Sequence, residues 1–164
     1  MIYTIGHSNH ELGEFLGMLQ AHAVSVLIDV RSKPYSRMNP QYGKRELPKA
    51  LRAAGIQYQF EGRALGGLDA ISVADPTFME RMNRVLSLQS YGPVAMMCAE
   101  KNPAHCHRAS KLTAFLHRHY PSAEVATAHV LPGEVLDARK FESQQKPEWV
   151  WHELEATEQL PLNL

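Results

Sequence analysis

The sequence predicts an α/β protein built as three layers, with a mostly parallel sheet of about five strands and helices on both faces. Short β-branched, apolar segments alternate with amphipathic segments of helical period from the N-terminus to about residue 131. The segment at 24–30, VSVLIDV, is apolar at nearly every position, which is typical of a strand buried on both faces. The length of 164 residues suits one domain at residues 1–131, followed by an acidic extension at residues 132–164 that packs on it.

Local signals place each element along the chain. The predicted strands cover residues 2–5, 24–30, 56–60, 94–98 and 124–131. The predicted helices cover about residues 12–21, 45–54, 76–88 and 108–119, with a further amphipathic helix from about residue 147. Ser8 and Glu11 have the spacing of a capping box before the first helix. Gly55 stands just past the second helix, and the pair Asp75-Pro76 has the composition of a helix start.

The composition excludes several classes of protein. Seventeen Lys and Arg residues balance seventeen Asp and Glu residues, so the whole molecule has no charge-driven attraction to nucleic acid or to an anionic membrane. The longest apolar run, at 94–99, is far shorter than the roughly 20 residues of a spanning helix. The N-terminus lacks the basic region of a secretory signal, and two cysteines suit a reducing compartment. We therefore expect a cytoplasmic protein without a membrane partner.

Candidate functional residues follow the carboxyl ends of the predicted strands, where open α/β sheets bind their ligands. The candidate catalytic residues are His7 and Glu100 for proton transfer, Cys106 for nucleophilic attack, and Asp29. Asp29 lies two residues before Arg31 in an apolar strand, so we expect it to orient an arginine, a backbone N–H or a catalytic group, or to form a structural ion pair. Cys106 precedes a helix predicted to begin at Arg108, and the amide groups at a helix N-terminus favour a thiolate. The candidate anion-binding residues are Ser8, Arg31, Lys33, Ser36, Arg37, Arg63, Gly66, Gly67, His107 and Arg108. The sequence thus predicts a binding site, and a catalytic one by hypothesis, for a phosphate, a nucleotide or a nucleic-acid end.

A basic stretch supports a second interpretation. Residues 31–52 hold seven Lys or Arg residues and one acidic residue, with Tyr35 and Tyr42 among them. Guanidinium groups bind phosphates and tyrosine rings stack on bases, so the loop at 31–45 could belong to a non-enzymatic nucleic-acid-binding module. An ordinary solvated surface has the same composition. The sequence does not indicate the oligomeric state.

The two cysteines open a third interpretation, in which the protein is a thiol-dependent or metal-dependent enzyme. Cys98 ends an apolar strand, where cysteine is usually a small buried hydrophobic residue. Cys98, His105, Cys106 and His107 contain the donor atoms of a metal site, but they lack the paired C-x(2–4)-C spacing of structural zinc. No cofactor and no metal is therefore predicted.

One ordered set of motifs resembles a known family. Its members are Thr4 to Ser8, Asp29 to Arg31 with Pro34 and Ser36, Gly55-Ile56 with Tyr58, Leu65 to Gly67, Cys98 to Glu100 and Cys106 to Arg108. This set resembles the Domain of Unknown Function 488 family over about residues 1–131. The resemblance implies a cytoplasmic prokaryotic α/β protein whose activity is not settled. A looser similarity connects the D-x-R motif and the cysteine loop to rhodanese-like domains, although the compact C-x-x-G-x-R loop of those domains is absent.

Overall fold

A computed structural model describes residues 1–68, 71–120 and 125–157. The strands are β1 (Ile2–Gly6), β2 (Val26–Asp29), β3 (Gln57–Phe60), β4 (Val94–Cys98), β5 (Thr127–Leu131) and β6 (Glu134–Asp137). The α-helices are α1 (Leu12–Ala21), α2 (Glu46–Ala53), α3 (Gly62–Leu65), α4 (Pro76–Ser87), α5 (Ala114–His119) and α6 (Ala138–Ser143). A π-helical segment, Arg108–Thr113, runs directly into α5. Short 3-10 turns occupy Pro40–Tyr42, Leu88–Tyr91, Pro103–His105, Pro147–Trp149 and His152–Thr157.

All six strands form one sheet in the order β3-β2-β4-β1-β5-β6. The first five are parallel, and β6 pairs with β5 in the antiparallel direction. In this register Gly6 lies beside Cys98, and Asp29 lies beside Met97. The carboxyl ends of β1, β2 and β4 are therefore neighbours at one edge of the sheet.

Two apolar cores on opposite faces confirm the predicted three layers. Phe15 of α1 and Leu51 of α2 pack on one face, with Leu27 of β2. On the other face, Phe78 of α4 and Phe115 of α5 pack with strand residues that alternate with those of the first face. Each layer buries the apolar stripe of its helices against the sheet, which is what the helical spacing in the sequence predicts.

The sixth strand was not predicted from the sequence. Its residues are mostly exposed, so β6 lacks the apolar alternation that marks a strand. It forms because Gly133, at φ 72°, lets the chain reverse after β5 and pair along its edge. The predicted start of β5 at residue 124 lies outside the described residues.

Helix starts were predicted with mixed success. Asp75 caps α4 as predicted, because its carboxylate accepts a hydrogen bond from the backbone N–H of Thr77. The capping box at Ser8 and Glu11 is wrong: Glu11 occupies the N-cap position of α1 without a side-chain hydrogen bond. Ser8 instead lies in the turn before it, at φ 46°, where its N–H donates to the carbonyl of Ala99.

The C-terminal segment also differs from prediction. Two 3-10 turns replace the amphipathic helix expected from about residue 147. The backbone N–H of Trp151 donates to the carbonyl of Ser110, so it is not available to a continuous helix. Within residues 1–68, 71–120 and 125–157, no helix has the length and apolar character needed to cross a bilayer.

Candidate functional site

A cleft of about 890 Å³ opens at the carboxyl edge of the sheet. Its lining consists of His7, Arg31, Ser32, Lys33, Tyr35, Ser36, Gly67, Leu68, Cys98, Ala99, Glu100, Ala104, His105, Cys106, His107, Ser110, Trp149 and Trp151. These residues come from the end of β4, from the loops after β1, β2 and β4, from the loop between α3 and α4, from the π-helical segment and from the C-terminal segment. The volume lies within the range of small-molecule sites.

Glycines let the loops around the cleft approach each other closely. A Cβ atom on Gly6 would lie 1.9 Å from the carbonyl oxygen of Glu100, so only glycine fits between these loops. A Cβ atom on Gly67 would lie 2.8 Å from Cγ and Nδ1 of His107. Gly66 packs in the same way on Ser32. Gly66 and Gly67 therefore position neighbouring groups by close packing, and a contact of either glycine with an anion stays a prediction.

A buried ion pair lies beneath one wall of the cleft. The Asp29 side chain is 0% exposed and that of Arg31 is 4% exposed. Arg31 Nε and Nη2 donate to the two carboxylate oxygens of Asp29 at 2.9 and 2.6 Å, and Tyr58 OH donates to Oδ2. Nη2 also donates to the carbonyl of Tyr42, and Nη1 donates to Nε2 of His7. Four of the five N–H donors of Arg31 are thus used inside the protein.

His7 is held as a neutral imidazole. Its Nδ1–H donates to the carbonyl of Ser8 at 2.8 Å, so Nε2 is the acceptor for Arg31. The ring stacks on Tyr42 with centroids 4.2 Å apart. Burial, followed by the neighbouring charge of Arg31, lowers the pKa of His7 to about 4. With both nitrogens engaged, His7 orients Arg31, and the predicted role in proton transfer has no free nitrogen to support it.

Arg108 lies away from the cleft. Its side chain is fully buried and donates through Nη1 to the carbonyl of Glu100 and through Nη2 to that of Lys101. Arg108 therefore shapes the loop that carries Glu100, and these contacts leave the predicted role as an anion ligand without support. Glu100 itself faces the cleft, and one carboxylate oxygen accepts from the N–H of Asn102.

Two thiols and one imidazole meet at the floor of the cleft; we call Cys98, Cys106 and His107 the sulfur–histidine cluster. Their donor atoms all lie within 4.8 Å of one another. His107 Nδ1 is 3.9 Å from the sulfur of Cys98 and 3.8 Å from that of Cys106. Nε2–H of His107 donates to the carbonyl of Val30 at 3.2 Å, so the lone pair of Nδ1 points at the two sulfurs.

Electrostatics distinguish the two sulfurs. A hydrogen bond between the thiols, together with burial, raises the pKa of Cys98 above its usual range. The same hydrogen bond, in which Cys98 donates to Cys106, lowers the pKa of Cys106, and the charge of Arg108 acts in the same direction. The pair is therefore arranged so that Cys106 carries the first negative charge and Cys98 donates to it.

The cluster has the dimensions of a metal centre. Tetrahedral zinc, with sulfur ligands at about 2.3 Å and nitrogen at about 2.0 Å, requires a sulfur–nitrogen separation of roughly 3.5 Å. The observed separations of 3.8 and 3.9 Å are only a few tenths of an ångström longer. The bond from His107 Nε2 to Val30 is the second-shell contact that metal-binding histidines usually make. Three such ligands beside an open cleft leave a fourth coordination position free.

The structure brings many of the predicted site residues together. His7, Arg31, Lys33, Ser36, Gly67, Glu100, Cys106 and His107 line the cleft. Ser8, Asp29, Arg37, Arg63, Gly66 and Arg108 are absent from its lining. Ten lining residues were not among the predicted catalytic or anion-binding residues; they include Trp149, Trp151, and Cys98, which the sequence offered only as a metal donor. Cys98 carried a signal, because it ends a strand whose carboxyl end joins the site.

The charge of the cleft is nearly balanced. Arg31 is neutralised by Asp29, which leaves Lys33 and Glu100 as the main opposing charges of the lining. The predicted preference for anions therefore has no strong electrostatic basis here. In the loop at 31–45, Arg37 and Lys44 are exposed, and binding of nucleic acid by this loop stays a prediction.

The fold and the site define an α/β protein with a cleft at the carboxyl edge of its sheet. The chain belongs to the family described as "Domain of unknown function DUF488", whose model matches residues 11–74 and 69–111. This confirms the family predicted from the motifs. Neither the search of curated proteins nor that of solved structures found a match. The similarity to rhodanese-like domains is not supported by these comparisons.

Proposed function

We propose that the protein is a metal-dependent enzyme that hydrolyses a small molecule in the cleft. The observation that carries the proposal is the preformed sulfur–histidine cluster, with the lone pair of His107 Nδ1 directed at both sulfurs. Thiolate and imidazole ligands select thiophilic ions, so zinc is the expected metal. The two unpaired cysteines also suit a reducing compartment, where they remain available as ligands.

Hydrolysis also needs an activated water and a group that transfers protons. A bound zinc ion would act as a Lewis acid and lower the pKa of a coordinated water. Glu100 is the one carboxylate among the described residues that line the cleft, so we assign it the proton transfer. Glu100 would accept a proton from the attacking water as the water oxygen bonds to the electrophilic carbon of the substrate, and it would pass that proton to the leaving group as the bond to that group breaks. Arg31 and His7 hold the adjacent wall rigid.

Cobalt substitution tests the proposal directly. Co²⁺ added to the chelator-treated protein should bind with a stoichiometry of one per chain. It should produce a thiolate-to-cobalt charge-transfer band in the near ultraviolet and the intense visible bands of tetrahedral coordination. Zn²⁺ should displace the cobalt and remove both signals, because tetrahedral N/S sites bind zinc more tightly than cobalt.

Single substitutions identify the ligands. Loss of a residue that only supports a metal ligand typically lowers metal affinity by roughly 10- to 100-fold. Loss of a ligand itself should lower the affinity for Co²⁺ by at least as much in each of three variants: Cys98→Ser, Cys106→Ser and His107→Ala. The matched control is His105→Ala, because His105 is exposed and lines the same cleft outside the cluster. The proposal is refuted if wild-type protein gives no thiolate-to-cobalt band, or if the control weakens binding as much as His107→Ala does.

A further inference from the structure

We infer that Trp149 and Trp151 form a substrate-binding wall of this cleft, and that the ligand held at its floor carries a flat aromatic group. We call these two residues the tryptophan wall. This inference rests on the proposed function, because the tryptophan wall and the sulfur–histidine cluster line the same cleft. Both residues lie outside the part of the chain that the family model matches, residues 11–111. The C-terminal segment therefore contributes the wall from outside the region that the family model covers.

Trp149 is anchored to the loop that precedes Cys106. Its Nε1–H donates to the carbonyl of Ala104 at 2.6 Å. The indole also meets Phe141 of α6 edge-on, with centroids 5.9 Å apart. Because Ala104 lines the cleft as well, the hydrogen bond fixes the indole relative to the floor.

Trp151 is anchored to the helix that follows Cys106. Its backbone N–H donates to the carbonyl of Ser110 at 2.9 Å, and the N–H of Ser110 donates to the carbonyl of Cys106. Two hydrogen bonds thus connect the wall to the residue that bears the sulfur. The buried Lys111 ammonium lies 4.8 Å from the centre of the Trp151 ring, which adds a cation–π contact.

The segment beyond the wall is fastened to the body of the protein. A carboxylate oxygen of Glu153 accepts from the backbone N–H of Val73 at 3.0 Å. Leu154 is fully buried in the core that also contains Phe78 and Phe115. The indoles are therefore held in place before a ligand arrives, which lowers the entropic cost of binding against them. Rigid aromatic surfaces favour ligands with aromatic rings of their own.

Two hydroxamate ligands distinguish binding to the tryptophan wall from binding to the metal. Acetohydroxamate and benzohydroxamate chelate zinc and cobalt through the same group, and only the second carries an aromatic ring. Binding to the Co²⁺-loaded protein is followed through the visible bands of cobalt. Tryptophan fluorescence gives an independent signal, because the only two tryptophans of the chain both line the cleft. We expect benzohydroxamate to bind about tenfold more tightly, which corresponds to about 1.4 kcal/mol.

Variants of Trp149 test whether the preference for benzohydroxamate comes from the tryptophan wall. Trp149→Phe keeps an aromatic ring and should retain most of the tenfold difference, whereas Trp149→Leu keeps apolar volume and should reduce it to less than about threefold. Trp151→Leu is the second test if Trp149→Leu proves unstable by thermal denaturation. The control is Tyr91→Ala, because Tyr91 is exposed and lies outside the lining of the cleft.

The outcomes distinguish the two proposals. If neither hydroxamate changes the cobalt bands, the open coordination position is absent and the proposed function fails. If both hydroxamates bind with equal affinity to wild-type protein, the metal site stands and the tryptophan wall is refuted. The wall is also refuted if Trp149→Leu and Trp151→Leu both keep the tenfold preference.

Discussion

Replacing Arg31 should cost this protein several kcal/mol of stability, although the residue borders the cleft. The Arg31→Ala variant leaves the Asp29 carboxylate fully buried, with only the backbone N–H of residue 31 and Tyr58 OH to solvate it. Removing one partner of a buried ion pair typically costs about 3–5 kcal/mol, because the remaining charge is uncompensated. For a chain of this size, each kcal/mol lowers the melting temperature by about 2–4 °C. We therefore expect the melting temperature to fall by roughly 6–20 °C.

Urea and thermal denaturation of three variants test this reasoning. Arg31→Lys keeps the charge but loses the two parallel hydrogen bonds to Asp29, so its stability should fall between wild type and Arg31→Ala. The double variant Asp29→Asn with Arg31→Met removes both charges and should recover part of the loss. A loss below about 1 kcal/mol in Arg31→Ala would show that the pair is solvated like a surface ion pair, and would refute the burial argument.

Three further predictions concern the supports of the site. Gly67→Ala places a methyl group against the His107 ring, so Co²⁺ affinity should fall by roughly 10- to 100-fold, while Gly13→Ala, with open space around its Cβ, should leave it unchanged. The pKa of His7 is 6.5 in the unfolded chain and about 4 in the folded protein. Between these pH values only the unfolded chain binds the proton, so the free energy of unfolding decreases as the pH falls from 6.5 to about 4. The difference amounts to about 3 kcal/mol, and a His7→Gln variant should show a correspondingly flatter pH dependence in urea denaturation. Asp75→Ala removes the N-terminal cap of α4 and should lower the free energy of unfolding by about 1 kcal/mol. Its affinity for Co²⁺ should be unchanged, and a change would contradict the expectation that this cap does not support the metal site.

The sequence predicted the position of the site better than its chemistry. The carboxyl ends of β1, β2 and β4 were expected to meet, and His7, Arg31 and Cys106 do lie around one cleft. Arg31 and its neighbours looked like anion ligands because a guanidinium near a strand end has that use in many proteins. The spacing of Asp29 and Arg31 did indicate that the two could pair, but only side-chain packing shows that the pair is closed and buried, so that Asp29 occupies the guanidinium before any ligand binds.

Alone, the sequence determined the α/β architecture and the family, because these depend on local periodicity and on short motifs along the chain. It did not determine β6, whose exposed residues pair only because a neighbouring strand offers them an edge. Nor did it determine that Cys98 meets His107, or that two C-terminal tryptophans complete the cleft. The tryptophans come from a part of the chain far from the strand ends, whereas Cys98 and His107 are nine residues apart and meet because of how the loop after β4 folds. Whether these residues can bind a metal or a ligand depends on side-chain orientations and on distances of a few ångströms, and only the packed tertiary structure determines these.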